Sequence, residues 1–126
     1  MTTIEYAAFT DDVDNLISIY VDPNNPNYKS INGLLLSKDE RTLIHGVNGI
    51  VAIPDGVRKI EKSAFEGCKN LTSITIPIGV SGIFDAAFWG CSGLTSVIMP
   101  YTITTIEKYA FHNCTNIRTL TIGEHV

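Results

Sequence analysis

The apolar residues in the C-terminal half of the chain recur with a period of 23 residues. From residue 53 the chain reads IPDGVRKIEKSAFEGCKNLTSIT, from 76 IPIGVSGIFDAAFWGCSGLTSVI, and from 99 MPYTITTIEKYAFHNCTNIRTLT. Each copy contains the pattern L-x-x-I-x-I, whose alternation predicts a strand with one buried face. Similarity at a fixed period is typical of a solenoid, in which each coil buries its core only against its neighbours.

A second apolar cluster precedes the strand in every copy. In the first copy it includes Ile60, Ala64 and Phe65, which are spaced as in one turn of α- or 3₁₀-helix. We therefore expect an α/β repeat, built from 23-residue coils around a parallel sheet. The sheet should take its strands from five segments: 16–21, 48–53, 71–76, 94–99 and 117–122.

The N-terminal part departs from the period. Residues 1–21 carry it in degraded form, since the Ala-Phe pair at Phe9 aligns with the pair at Phe111. Residues 22–47 form an insertion with a turn-rich loop followed by two apolar runs around residues 38–41, which predicts a β-hairpin. Residues 48–126 resume the regular coils. We expect one solenoid domain over residues 1–126. The option left open is that this domain is a fragment of a longer array of repeats.

The three cysteines, Cys68, Cys91 and Cys114, occupy the same slot of three coils and should stack in one column. Adjacent coils lie about 4.8 Å apart, but their parallel Cβ vectors disfavour the dihedral angle of a disulfide. We expect a structural ladder of buried thiols that act as small apolar groups. A metal site is the less favoured alternative, because the chain has no CxxC pair and its histidines keep no ligand-like spacing to the cysteines.

Composition argues against several functions. The chain is 44% hydrophobic and 17% charged, which predicts an ordered core, and its net charge of −4 includes no basic stripe for nucleic acid. No apolar stretch is long enough to span a bilayer, and the N-terminus shows no signal peptide. No recurring catalytic motif is present, so we expect neither an enzyme nor a bound cofactor. Residues 22–27 suggest calcium as an alternative, but their prolines favour a capped turn.

The middle copy is apolar in four slots that are mostly polar in its neighbours. These slots hold Ile78, Phe84, Trp89 and Ile98. We expect Phe84 and Trp89 to form an outward aromatic patch, since exposed apolar patches and tryptophan are enriched at interfaces. The alternative is that another part of the coil covers these rings.

The outward positions of the sheet form a second candidate surface. They are mostly hydroxylated, which suits many weak hydrogen bonds to a protein or a glycan but is also ordinary for an unoccupied sheet face. The residues that we single out there are Tyr20, Ser73, Thr75, Ser96, Ile98, Thr119 and Thr121.

The string I-P-x-x-V-x-x-I-x-x-x-A-F-x-x-C-x-x-L-T-S-I-x-I resembles the BspA-type leucine-rich repeat. The inserted D-P-N-N-P-N-Y-K-S-I-N-G-L-L-L-S-K-D resembles a hairpin found among those repeats. The resemblance covers nearly the whole chain and implies a right-handed curved solenoid. It also implies an extracellular or cell-surface protein of bacteria or protists, where several members bind matrix proteins or other cells.

We therefore expect a non-catalytic protein-binding or adhesion module that presents side chains on a rigid scaffold. Its partner would be a host matrix or cell-surface protein, or a glycan. The alternative is a structural spacer or stalk segment of a larger surface protein. Because little chain follows the last predicted strand, we also expect self-association through the C-terminal edge or through the aromatic patch.

Overall fold

Ten strands follow one another in residues 16–123, the part of the chain that this computed structural model describes. They are β1 (Tyr28–Ile31), β2 (Leu34–Ser37), β3 (Thr42–His45), β4 (Gly49–Ala52), β5 (Lys59–Ile60), β6 (Leu71–Thr75), β7 (Gly82–Ile83), β8 (Ser96–Pro100), β9 (Thr105–Ile106) and β10 (Thr119–Gly123). The strands form two sheets and wind into a β-solenoid of about three turns. The right-handed sense of the coil stays a prediction.

One strand from each coil enters a parallel sheet with the order β10-β8-β6-β4, which we call the wide sheet. Its pairing aligns residues one period apart, as where Val97 lies beside Ile74 on one side and Leu120 on the other. The period read from the sequence is therefore the spacing between hydrogen-bonded neighbours. Four of the five predicted strands are present with shifted ends, whereas residues 16–21 form no strand.

The second sheet, called the narrow sheet here, has the order β1-β2-β3-β5-β7-β9. The predicted hairpin is present as the antiparallel pair β2 and β3, and β1 adds a third antiparallel strand that the sequence analysis did not predict. Strand β3 then pairs in parallel with β5, so that Thr42 lies beside Lys59. The insertion thus extends the narrow sheet, and it does not simply interrupt the coil.

The segment between the narrow and wide strands of each coil is a run of turns, and no helix occurs in residues 16–123. The amide of Phe65 donates to the Ala87 carbonyl of the next coil at 2.6 Å, while the amide of Ala64 donates back to Glu61 at 3.1 Å. Because alternate amides bond to the next coil, consecutive hydrogen bonds along the chain cannot form as a helix requires. The expected short helical turn is therefore replaced by turns that pair coil to coil.

The core consists of columns that repeat from coil to coil. The rings of Phe65, Phe88 and Phe111 stack with centroids 5.0 Å apart and planes within 8° and 3°. This distance is close to the roughly 4.8 Å between paired strands, so each ring lies on the ring one coil away. The predicted Ala-Phe pair at Phe9 and the charged C-terminal residues 124–126 lie outside the described residues.

Candidate functional site

The outer face of the wide sheet carries two straight rows of side chains. The first row contains Ile50, Ser73, Ser96 and Thr119. The second row contains Ala52, Thr75, Ile98 and Thr121. The sequence analysis missed Ile50, which is 85% exposed. Val51 pairs with Ile74 and both are buried, so strand alternation within the predicted segment 48–53 would have placed Ile50 on the outer face.

Some hydroxyls near this face are already used within the solenoid. Thr72 donates to the Gly49 carbonyl at 3.3 Å, and Thr95 donates to the Thr72 carbonyl at 3.1 Å. They tie one coil to the next. Tyr20 is 78% exposed, but it lies in the non-strand segment before the insertion and belongs to neither row.

Trp89 belongs to an aromatic cluster that spans two coils. Its ring lies 5.2 Å from Tyr109 and 4.6 Å from His112, and Lys108 Nζ lies 4.8 Å from the Tyr109 centroid. Trp89 is half-buried, whereas Tyr109 and His112 are exposed. The next coil therefore covers part of Trp89, and the cluster as a whole still faces outward.

The expected aromatic patch is divided, because no ring contact joins Phe84 to Trp89 within the described residues. Phe84 follows β7 and folds back over the narrow sheet, where a Cβ on Gly82 would lie 2.9 Å from its ring. Ile78 lies on a turn and is 40% exposed, in the slot that holds the exposed Tyr101 one coil later. Position within the repeat indicated exposure, but it did not indicate which side of the coil each side chain covers.

Phe84 lines a groove of about 540 Å³ on the outside of the narrow sheet, which we call the basic groove. Its lining residues are Asp39, Arg41, Thr42, Arg58, Lys59, Ser81, Gly82, Phe84 and Thr105. The Ser37 hydroxyl donates to Asp39 at 2.6 Å, and this bond, with the amide and charge of Arg41, lowers the pKa of Asp39. Three cations therefore share the groove with one ionised carboxylate. The sequence analysis missed this site, because Asp39, Arg41 and Thr42 come from the insertion, outside the repeat.

The cysteine column lies inside the core. Cys68 and Cys91 are buried and Cys114 is half-buried, and none of the three forms a disulfide. Cys91 Sγ donates to the Phe65 carbonyl at 3.2 Å, and Cys114 Sγ donates to the Phe88 carbonyl at 2.9 Å. The neighbouring Cys114 thiol, together with burial, raises the pKa of the Cys91 thiol.

The turn-rich loop uses its oxygen atoms internally. Asp22 Oδ1 accepts from the amide of Asn24 at 2.8 Å, and Asn25 Oδ1 accepts from the amides of Asn27 and Tyr28. These are capped turns rather than a converging set of ligands. Within residues 16–123, no group of three or more His, Cys, Asp or Glu side chains is arranged to hold a metal ion. The same part of the chain contains no helix able to cross a membrane.

The last described coil exposes part of its core columns. Leu120 and Ile122 are 57% and 68% exposed, although the corresponding residues of earlier coils are buried or nearly so. A hollow of about 250 Å³ there is lined by Val97, Met99, Phe111, Ile117 and Leu120. This is the edge for which self-association is predicted, and that prediction stays open.

Two solved structures from bacteria resemble this solenoid. The first is a leucine-rich repeat protein from Eubacterium ventriosum, with 33% identity and a TM-score of 0.76 over 86% of this chain. The second is the pneumococcal vaccine antigen PcpA, with 23% identity and a TM-score of 0.73 over 83% of this chain. The chain spans only 30% and 29% of the lengths of these two proteins. A search of curated proteins gave no match.

A family comparison covers more than half of the chain. Residues 49–126 match the BspA type leucine rich repeat region in six copies. The matched residues begin at β4 and include the coils whose period, core columns and parallel pairing are described above. The chain therefore belongs to the BspA-type leucine-rich repeat family.

Proposed function

We propose that the chain is a non-catalytic protein-binding module of a larger cell-surface protein, with the outer face of the wide sheet as its contact. Membership of a leucine-rich repeat family suggests a protein-interaction or scaffold role, and such proteins are generally non-catalytic. The observation that carries the proposal is the pair of straight rows across four strands. They display the apolar Ile50 and Ile98 among hydroxyl groups.

The rows suit binding because the solenoid holds them in place. Each strand is hydrogen-bonded to its neighbours, so the displayed side chains lose little backbone freedom when a partner docks. Ile50 and Ile98 can exclude water from the contact, while Ser73 and Ser96 supply hydroxyls that both donate and accept hydrogen bonds.

The size of the face predicts weak binding by this chain alone. Four strands about 4.8 Å apart and about five residues long give a face of roughly 320 Å². A stable interface buries roughly 800 Å² on each partner. The shortfall agrees with a chain that spans about 30% of the length of its structural relatives, so a partner would contact further coils as well.

A multivalent assay can measure such weak binding. The biotinylated chain, assembled into tetramers on streptavidin, would be applied to an array of purified extracellular-matrix proteins, because linked copies raise the apparent affinity. We expect binding to at least one matrix protein, and its loss in the Ile50→Lys/Ile98→Lys variant. Asn24→Lys/Thr115→Lys adds the same two charges at exposed turns and should bind as the wild type does. Equal binding by the double variant would refute the sheet face as the contact.

A structural spacer is the second candidate, favoured by the hydrogen bonds that run from coil to coil through both sheets and the turns. A spacer would bind nothing on the array in any form. Self-association is measured separately by light scattering of the wild type and of Trp89→Ala. A monomeric variant of an oligomeric wild type would assign that contact to the aromatic cluster, and an oligomer in both would point to the C-terminal edge.

A further inference from the structure

The basic groove concentrates positive charge on a chain whose net charge is −4. Arg41 precedes β3, and its carbonyl accepts from the amides of Arg58 and Lys59 at 2.7 and 3.2 Å. These two bonds hold the cationic residues Arg41, Arg58 and Lys59 of neighbouring coils side by side. In the same columns the next coil contributes Ser81, so the positive charge ends there.

None of the three cations forms an ion pair within residues 16–123, although the charge of Arg41 acts on the nearby Asp39. The one ion pair among residues 16–123 joins Lys29 to Glu40 at 2.6 Å. Asp39 is the carboxylate that shares the groove, and it accepts hydrogen bonds from Ser37 and from the Arg41 amide. Arg58 Nη1 donates to the Val57 carbonyl at 3.4 Å, and the rest of its guanidinium, with the side chains of Arg41 and Lys59, stays available to a ligand.

Phe84 adds an apolar wall to the groove. It occupies the slot that holds Glu61 one coil earlier and Glu107 one coil later, so a ring replaces a carboxylate beside the cations. Gly82 lets the ring lie against the sheet, and Lys59 Nζ lies 5.6 Å from the ring centroid. The groove therefore combines three cations with one apolar surface.

Arg58 is held in place by its packing against the next coil. Its Nη1 atom lies 2.6 Å from the position that a Cβ on Gly79 would occupy, so the guanidinium packs over a glycine of the next coil. A cation that is already positioned loses less freedom on binding. Its planar fork matches a carboxylate with two parallel hydrogen bonds.

We propose that the basic groove binds an acidic peptide segment of a partner protein, with carboxylates on Arg41, Arg58 and Lys59 and an apolar side chain against Phe84. The proposal rests on the protein-binding function above only in taking the partner to be a polypeptide. It assigns a second surface, on the narrow sheet.

The extent of the charge favours a peptide over a sulfated polysaccharide. The cations lie on only two neighbouring strands, which are about 5 Å apart. This extent suits two or three carboxylates. A polyanionic chain gains affinity from a long cationic track, and Ser81 and Thr105 end the track in this groove.

The test uses fluorescence anisotropy of a fluorescein-labelled peptide GDEDLEDEG, with the Asn/Gln peptide GNQNLQNQG as its uncharged match. We expect saturable binding of the acidic peptide and no binding of the Asn/Gln peptide. The Arg58→Ser/Lys59→Ser variant should bind the acidic peptide about tenfold or more weakly than the wild type does. Phe84→Glu should abolish it without unfolding the chain, because the same slot already accepts Glu61 and Glu107. Arg118→Ser removes a cation beside the wide sheet and should leave binding unchanged.

Several outcomes would overturn the proposal. Absence of binding to the acidic peptide, or equal binding by the Arg58→Ser/Lys59→Ser variant, would exclude this site. Affinity that stays constant between about 50 and about 500 mM NaCl would exclude an electrostatic contact. Binding to heparin without binding to the peptide would assign the groove to a polyanionic glycan instead. The Ile50→Lys/Ile98→Lys variant should bind the peptide normally, so failure of the sheet-face proposal stays distinguishable.

Discussion

Gly46 closes the N-terminal side of the phenylalanine stack, and its replacement by alanine should strongly destabilise the solenoid. A Cβ at this position would lie 1.9 Å from Cε1 of Phe65 and 2.3 Å from its Cδ1 and Cζ. An ordinary contact starts at 3.4 Å, so the ring would have to move by about 1.5 Å.

The stack gives the ring little room to move. Phe65 and Phe88 lie 5.0 Å apart, and ring centroids rarely approach closer than about 4.5 Å. The Gly46 amide is also bonded to the Ala64 carbonyl at 2.8 Å, which holds the backbone close to the ring. Overpacking of this kind costs typically about 1–3 kcal/mol, and we expect Gly46→Ala to lie near the upper end, about 3 kcal/mol.

Urea unfolding followed by circular dichroism and by the fluorescence of Trp89 measures this loss. Gly56→Ala is the matched control: its φ of 101° strains any side chain, but nothing lies within 4 Å of the added Cβ. We expect that variant to lose only about 1–2 kcal/mol. Leucine in place of Phe65 lacks two of the three clashing atoms. The stability loss of the Gly46→Ala/Phe65→Leu variant should therefore be smaller than the sum of the two single losses by about 1 kcal/mol or more. A loss below about 0.5 kcal/mol in Gly46→Ala, or no coupling with Phe65, would refute this account.

Three further predictions concern buried polar groups. Asn48→Ala should cost about 1–3 kcal/mol in urea unfolding, since it removes the bond from Asn48 Nδ2 to the Leu16 carbonyl and the bond from the Asn70 amide to Asn48 Oδ1; a neutral result would contradict this. Burial lowers the pKa of His45, although a hydrogen bond to the Gly46 carbonyl acts in the opposite direction. The neutral imidazole therefore contributes to the free energy of unfolding above about pH 6.5, and this contribution is lost as the pH falls through the folded-state pKa. The unfolding free energy of the wild type should therefore fall more steeply on acidification than that of His45→Gln, and parallel pH profiles would contradict this. Ellman's reagent should react rapidly with one thiol of the native protein, which Cys114→Ser removes; rapid reaction of Cys68 or Cys91 would contradict their burial.

The repeat made the core predictable. A column of the stack is a set of residues one period apart, so Ile60 and Ile83, or Phe65 and Phe88, could be paired from the sequence, and all four are fully buried. The spacing of Ile60, Ala64 and Phe65 is compatible with a helical turn when one coil is considered alone. The amide bonds between coils decide against it, and they exist only once a second coil is present.

The surfaces were less predictable, because a slot in the repeat does not indicate a direction around the coil. Phe84 and Trp89 are close in sequence and both replace polar residues, yet one lies on the narrow sheet and the other packs with Tyr109 and His112. The hydroxyl rows followed from strand alternation, which does fix a direction. The missed strand β1 (Tyr28–Ile31) directly follows a proline-rich turn, whose composition predicted only loop.

The basic groove depends on a contact between the insertion and the repeat, and neither part predicts it alone. Arg41 lies beside Arg58 because β3 pairs with β5 with Thr42 opposite Lys59. A shift of one residue in this register would turn the side chains of β3 to the other face and separate the cations. The later coils carry serine, glycine and threonine in these columns, so Arg41 of the insertion and Arg58 and Lys59 of the adjoining regular coil place the positive charge at one end of the narrow sheet. A distinctive binding chemistry is therefore to be sought where an insertion joins the narrow sheet.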